Sequence, residues 1–151
     1  MSVEVGSPVA GLAAALGEVP DPVFSQAMVG PGMAIKPSGG RADAVAPIAG
    51  TVMTLHPHAF VIASSGGTAV LVHLGIDTVK LKGDGFDLHV AKGDVVEAGQ
   101  RIVTWDPTEV EKHGYSSICP VIALEAAPEA LADVREDGQV AAGDVLFTVS
   151  A

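Results

Sequence analysis

Ala59-Phe60-Val61-Ile62-Ala63-Ser64-Ser65-Gly66-Gly67-Thr68-Ala69-Val70-Leu71-Val72-His73 sets two apolar runs either side of five small, turn-forming residues, which is the composition of a β-hairpin. The spacing predicts strands over 60–63 and 69–73, paired antiparallel across the Ser64–Thr68 turn. His73 closes the second run. Its near neighbours are apolar until Asp77, four positions on. His58, in His56-Pro57-His58, immediately precedes the first run, so the hairpin brings His58 and His73 side by side. A lone histidine on an apolar strand is ordinarily a hydrogen-bonded core residue. Two imidazoles delivered to one place by the same hairpin point instead to a shared site, with His73 presented at a strand end as nucleophile or ligand.

Beyond the hairpin, 18 glycines and 10 prolines punctuate short runs rich in Val, Ile, Ala and Thr, an all-β pattern. Two short motifs recur. Pro8-Val9-Ala10-Gly11 with Leu16 returns as Pro47-Ile48-Ala49-Gly50 with Leu55, and Val96-Glu97-Ala98-Gly99 with Ile102 and Thr104 returns as Val140-Ala141-Ala142-Gly143 with Leu146 and Thr148. Four related turn-and-strand units suggest an antiparallel β-sandwich or barrel in which duplicated hairpins close over one core. Helix is expected only as one or two turns at Pro107–His113 and Pro128–Arg135, each with proline near its start. The Ala-rich stretch 9–16 is read as strand because of its likeness to 48–55.

A chain of 151 residues, 48% hydrophobic and 17% charged, fits one domain over 1–151, with 1–6 expected to be a flexible N-terminus. A formal net charge of -10 argues against nucleic acid or anionic lipid as partner and favours small molecules or basic proteins. The longest apolar stretch, 9–16, is far short of the roughly 20 residues that cross a bilayer. No secretory signal is evident, and the single cysteine, Cys119, forms no internal disulfide; the expected location is cytoplasmic. Asp84 reads as a turn residue and Cys119 as buried packing, and His89 and His113 are given no role.

Several segments together resemble the glucose-type enzyme IIA family of the bacterial phosphoenolpyruvate-dependent sugar phosphotransferase system. They are Pro22-Val23-Phe24-Ser25, Met28-Val29-Gly30-Pro31-Gly32-Met33-Ala34-Ile35-Lys36-Pro37, Val45-Ala46-Pro47-Ile48-Ala49-Gly50-Thr51-Val52, His58-Ala59-Phe60, and above all Val72-His73-Leu74-Gly75-Ile76-Asp77-Thr78-Val79-Lys80-Leu81-Lys82-Gly83-Asp84-Gly85-Phe86. The resemblance runs from about Ser7 to Val149. It implies a β-sandwich that accepts a phosphoryl group from the phosphocarrier HPr and passes it to a cysteine of a IIB domain, serving glucose or N-acetylglucosamine uptake through IIB/IIC permease components. His73 would be the acceptor and His58 would hydrogen-bond the phosphoryl oxygens. Asp21 and Asp77 match acidic positions near the site, and Phe24, Val29, Leu71 and Val79 would form the apolar docking face for partners, which in relatives also include regulatory protein targets. The resemblance requires no cofactor.

This chain departs from its relatives in two ways. His56 and Pro57 stand before His58 where many relatives have a threonine two positions ahead, and Leu71 and Thr54 stand where aromatic residues are frequent. Two other readings compete. His56-x-His58 and His73-x-x-x-Asp77 have metal-ligand spacings, as in a lysostaphin-like zinc peptidase, though in the reverse order; an incidental zinc ion at His58 and His73 is compatible with either reading. The turns around Pro47–Gly50 and Gly93–Gly99 resemble biotinyl or lipoyl carrier modules, yet no lysine stands in a context their ligases read.

Overall fold

The predicted hairpin forms and sits in the middle of the largest sheet. A computed structural model of the chain describes residues 2–135 and 137–150. Its strands are β1 (Ser2–Gly6), β2 (Gly11–Ala15), β3 (Gly32–Pro37), β4 (Ala42–Val45), β5 (Gly50–His56), β6 (Ala59–Ala63), β7 (Ala69–His73), β8 (Asp87–Leu88), β9 (Val95–Val96), β10 (Arg101–Trp105), β11 (Cys119–Ala123), β12 (Leu131–Ala132), β13 (Gln139–Val140) and β14 (Val145–Ser150), with two short helices, α1 (Pro22–Ser25) and α2 (Pro107–Lys112). The strands form one eight-stranded sheet, β13-β2-β3-β11-β7-β6-β5-β9, and two three-stranded sheets, β1-β14-β12 and β4-β10-β8. Their pairings among the described residues are antiparallel, so the expected all-β sandwich is the observed one.

The sequence repeats become a pseudo-twofold. From the middle of the large sheet outward, β11-β3-β2-β13 on one side matches β7-β6-β5-β9 on the other, and β1-β14-β12 matches β4-β10-β8. The bends at Pro8–Ala10 and Pro47–Ala49 lead into β2 and β5 at Gly11 and Gly50, which pair with Val140 and Val96. Each bend carbonyl serves the other half: Gly6 N–H donates to the Pro47 carbonyl and Val45 N–H to the Pro8 carbonyl, both at 2.9 Å. Both glycines are obligatory for space. A Cβ on Gly11 would lie 2.1 Å from the Lys36 carbonyl oxygen, and one on Gly50 would lie 2.2 Å from that of Ala63.

Alternation along the central strands divides their side chains between two apolar layers. Met33 and Ile35 of β3, Phe60 and Ile62 of β6, Val70 and Val72 of β7 and Cys119 and Val121 of β11 face the main core, where Trp105, Leu146 and Phe147 of the smaller sheets meet them. On the opposite face Ala34, Leu71 and Ile122 join Leu16, Val19, Phe24, Val29, Ile76, Ile118 and Leu124 in a second cluster. At about 1.5–3 kcal/mol for each large side chain fully buried, the second cluster is sufficient to fasten α1 and its flanking turns onto the sheet.

Two expectations about local structure are corrected. Residues 2–6 are not a flexible end: they are β1, paired with β14 from Ser2 opposite Ser150 to Gly6 opposite Val145, with Val5 fully buried; Met1 lies outside the described residues. Pro128–Arg135 is helical only as a single 3-10 turn at Pro128–Ala130, after which Leu131 and Ala132 pair with β14. Sheet pairing outweighs the weak local preference of so short a segment.

Gly50→Ala forces β5 and β6 apart and is expected to cost about 2–3 kcal/mol of stability in denaturant unfolding, whereas Gly17→Ala, where the new methyl meets nothing within 4 Å, stays within about 0.5 kcal/mol of wild type.

Candidate functional site

β7 ends at His73 and the chain turns sharply behind it. Leu74 is fully buried and its N–H donates to the His58 carbonyl at 2.7 Å, tying the end of the hairpin to the turn between β5 and β6. Gly75 then adopts φ +80°, a left-handed conformation natural to glycine, in a space where a Cβ would lie 2.7 Å from Thr78 Cγ2 and 2.8 Å from the Ser116 carbonyl oxygen. Ile76 N–H donates to that Ser116 carbonyl at 2.9 Å, and the fully buried Thr78 closes the loop by donating from Oγ1 to the Leu74 carbonyl at 2.8 Å.

This loop aims the Gly75 carbonyl at His73 Nδ1, 2.5 Å away. A carbonyl only accepts, so Nδ1 carries the hydrogen and Nε2 keeps its lone pair when the ring is neutral. Burial pushes the pKa of His73 down, while the Gly75 carbonyl and the charges of Asp21 and Asp77 pull it back up. The His58 ring stands edge-on to His73, with centroids 5.1 Å apart and planes at 68°. Burial first, then the neighbouring His73 and His56, hold the pKa of His58 at about 4. Both rings are therefore neutral near pH 7, and His73 offers a free Nε2 beside a half-exposed second imidazole.

The other residues expected at the site lie at and after α1, on β7 and around the 3-10 turn Thr78–Leu81. Phe24 is buried at the start of the second cluster, its ring 5.3 Å from that of His73. Asp21 caps α1, accepting from Val23 N–H at 2.9 Å, and its charge is felt at His73; it is both a turn former and a neighbour of the site. Asp77 takes a left-handed φ of 63° and starts the 3-10 turn Thr78–Leu81. Val29 and Leu71 are partly buried against the second cluster, and Val79 is 57% exposed on the 3-10 turn. Sequence reasoning missed the Gly75 carbonyl as the group that orients His73; a glycine two places after the histidine was its one visible trace. Val23 and Met28 are 42% and 67% exposed at and just beyond α1, an exposure that sequence reasoning did not single out because it leaves no local mark. Among the described residues no group of three or more His, Cys, Asp or Glu is placed to hold a metal ion.

The family model for the phosphoenolpyruvate-dependent sugar phosphotransferase system, EIIA 1, matches residues 3–128. Among curated proteins the chain is 43% identical over 130 residues to the PTS system glucosamine-specific EIICBA component of Bacillus subtilis (strain 168), a match covering 85% of this chain and 20% of that protein, so the chain spans about a fifth of the relative's length. Among solved structures it resembles the glucose permease IIA from Mycoplasma capricolum, with a TM-score of 0.91 and 36% identity over 99% of this chain and 97% of the other.

The depressed pKa of His58 has a consequence for stability. Unfolded, the ring takes up a proton below its ordinary 6.5; folded, it does so only at about 4. Its contribution is therefore fully present above pH 6.5 and is lost as the pH falls from there towards 4, with His73 acting in the same direction. In urea unfolding, wild type is expected to lose more stability than His58→Gln between about pH 7 and pH 5. Equal losses would show that His58 is not held neutral by the fold.

Proposed function

Because the chain belongs to the EIIA 1 family of the phosphoenolpyruvate-dependent sugar phosphotransferase system, we propose that it relays a phosphoryl group on His73, accepting it from phospho-HPr and passing it to a cysteine of a IIB domain. The observation that carries the residue assignment is the hydrogen bond from His73 Nδ1 to the Gly75 carbonyl. It leaves Nε2 as the nucleophile, with no proton to remove before attack.

In the proposed step Nε2 attacks the phosphorus in line, the phosphorus–nitrogen bond to the HPr histidine breaks, and a new one forms to His73. The His73 ring then carries an added positive charge. Its Nδ1–H is already donated to the Gly75 carbonyl, and Asp21 and Asp77 supply favourable negative charge nearby. Neutral His58 donates one ring N–H to a phosphoryl oxygen, where charge builds up in the loose transition state. Phe24, Val29, Leu71 and Val79, joined by Val23 and Met28, form the apolar rim on which HPr and IIB dock in turn, keeping water from the phosphohistidine. The second transfer reverses the first, with the IIB thiolate as nucleophile and neutral His73 as leaving group.

The reaction needs no metal. His58 and His73 offer two imidazoles to an incidental zinc ion, a partial tetrahedral set that water or a partner would have to complete. The names of the relatives favour a hexose or amino-sugar permease, so the sugar is proposed to be of glucose or N-acetylglucosamine type, and IIB/IIC components are the proposed partners at the membrane. No helix among the described residues is long and apolar enough to cross a membrane, and the relay is proposed to work in the cytoplasm.

Given phosphoenolpyruvate, enzyme I and HPr, the protein is expected to take up one acid-labile, base-stable phosphoryl group, and His73→Gln to take up none. Undiminished uptake by His73→Gln refutes the assignment. His58→Gln is expected to accept the group yet transfer it to IIB about 100-fold more slowly, the low end for loss of one preorganised donor. A panel of IIB domains in the same assay identifies the sugar system served.

A further inference from the structure

His56 has no part in the acceptor or stabilising roles above, yet its place in the sheet is specific. It lies opposite Ala59 in the β5–β6 register, and Ala59 lies opposite His73 in the β6–β7 register. Directly opposed residues share a face, so His56, Ala59 and His73 form one row across three adjacent strands. Strand spacing sets the outer two roughly 10 Å apart at Cα, with a single methyl group between them. The His58 ring occupies that interval. It lies 5.1 Å from His73, edge-on, and 5.7 Å from His56, at an interplanar angle of only 23°.

Among the described residues the His58 ring has two aromatic neighbours, His73 edge-on and His56 near-parallel. The histidine rings that make hydrogen bonds among the described residues are those of His73, His89 and His113. His58 makes none among the described residues, and it projects from the two-residue turn Pro57–His58. Its orientation therefore comes from packing, and the near-parallel face of His56 is the flat surface available for it to pack on.

We infer that His56 is a positioning residue: its ring stacks on His58 and holds it edge-on to His73, so that a His58 nitrogen meets the phosphoryl group without having to be ordered at each transfer. The inference rests on the relay proposed above. His56 need not touch the phosphoryl group; it acts through His58. An aromatic pair shifts a local equilibrium about two- to tenfold, which sets the size of the effect to look for.

The test measures the rate of phosphoryl transfer from the phosphorylated protein to IIB. His56→Ala is expected to slow transfer about five- to tenfold, and His56→Phe, which keeps a flat ring but no nitrogen, to return it to within about twofold of wild type. In a His58→Gln background His56→Ala is expected to add nothing, because there is no longer a ring to place. His56 is exposed, so both variants should fold, and their melting temperatures check this. A wild-type rate in His56→Ala, a His56→Phe no faster than His56→Ala, or a full additional loss in the His58→Gln background each overturns the inference. In those cases the extent of His73 labelling by phospho-HPr, unchanged from wild type, leaves the relay standing. A wild-type protein that takes up no phosphoryl group overturns both.

Discussion

The hydrogen bond between His73 Nδ1 and the Gly75 carbonyl ties the imidazole to the backbone and leaves Nε2 free, and much of the local structure serves to hold that carbonyl in place. Gly75 must be left-handed to aim it. The left-handed turn is held from one side by Thr78 through the Leu74 carbonyl and from the other by the Ser116 carbonyl, which receives Ile76 N–H. A free imidazole exchanges its proton between two nitrogens; this one has the choice made for it. Backbone geometry thus decides which nitrogen keeps the lone pair.

Electrostatics and solvation then work in opposite directions at the same ring. Desolvation under the Phe24 cluster keeps His73 neutral and nucleophilic, whereas Asp21, Asp77 and the Gly75 carbonyl favour the cation. The proposed relay needs both tendencies: a neutral ring to accept the group and stabilisation of positive charge while it is carried. His58 lacks the acidic neighbours and is pressed further towards neutrality by two other imidazoles. Identical side chains a few ångströms apart therefore differ in their charge preferences because their surroundings differ.

The features legible from sequence were those in which local pattern and long-range pairing agree. Two apolar runs around Ser64–Thr68 could form little but a hairpin, so the neighbourhood of His58 and His73 followed directly from order along the chain. The recurrent Pro-x-Ala-Gly bends marked the pseudo-twofold because each glycine is demanded by a carbonyl of the adjacent strand. Where pairing is remote, local pattern failed. Ser2–Gly6 looks like an untethered end because its partner strand lies at the other end of the chain, and Leu131–Ala132 was absorbed into a presumed helix because two residues carry no periodicity. The motif resemblance pointed to His73 as the proposed acceptor. It could not reveal that a main-chain carbonyl selects its tautomer, since a peptide group is the same at every position.

The pairing of β1 with β14, Ser2 opposite Ser150, also governs when this molecule can be completed. Val5, wholly enclosed in the main core, has no place to go until β14 is available, and β14 emerges last of the described strands. A chain leaving the ribosome can form the β5–β6–β7 meander early, from contacts between near neighbours, but its first strand must wait for its last. With so much of its pairing between distant segments the protein belongs among slow-folding topologies, and its final closure falls after synthesis of β14.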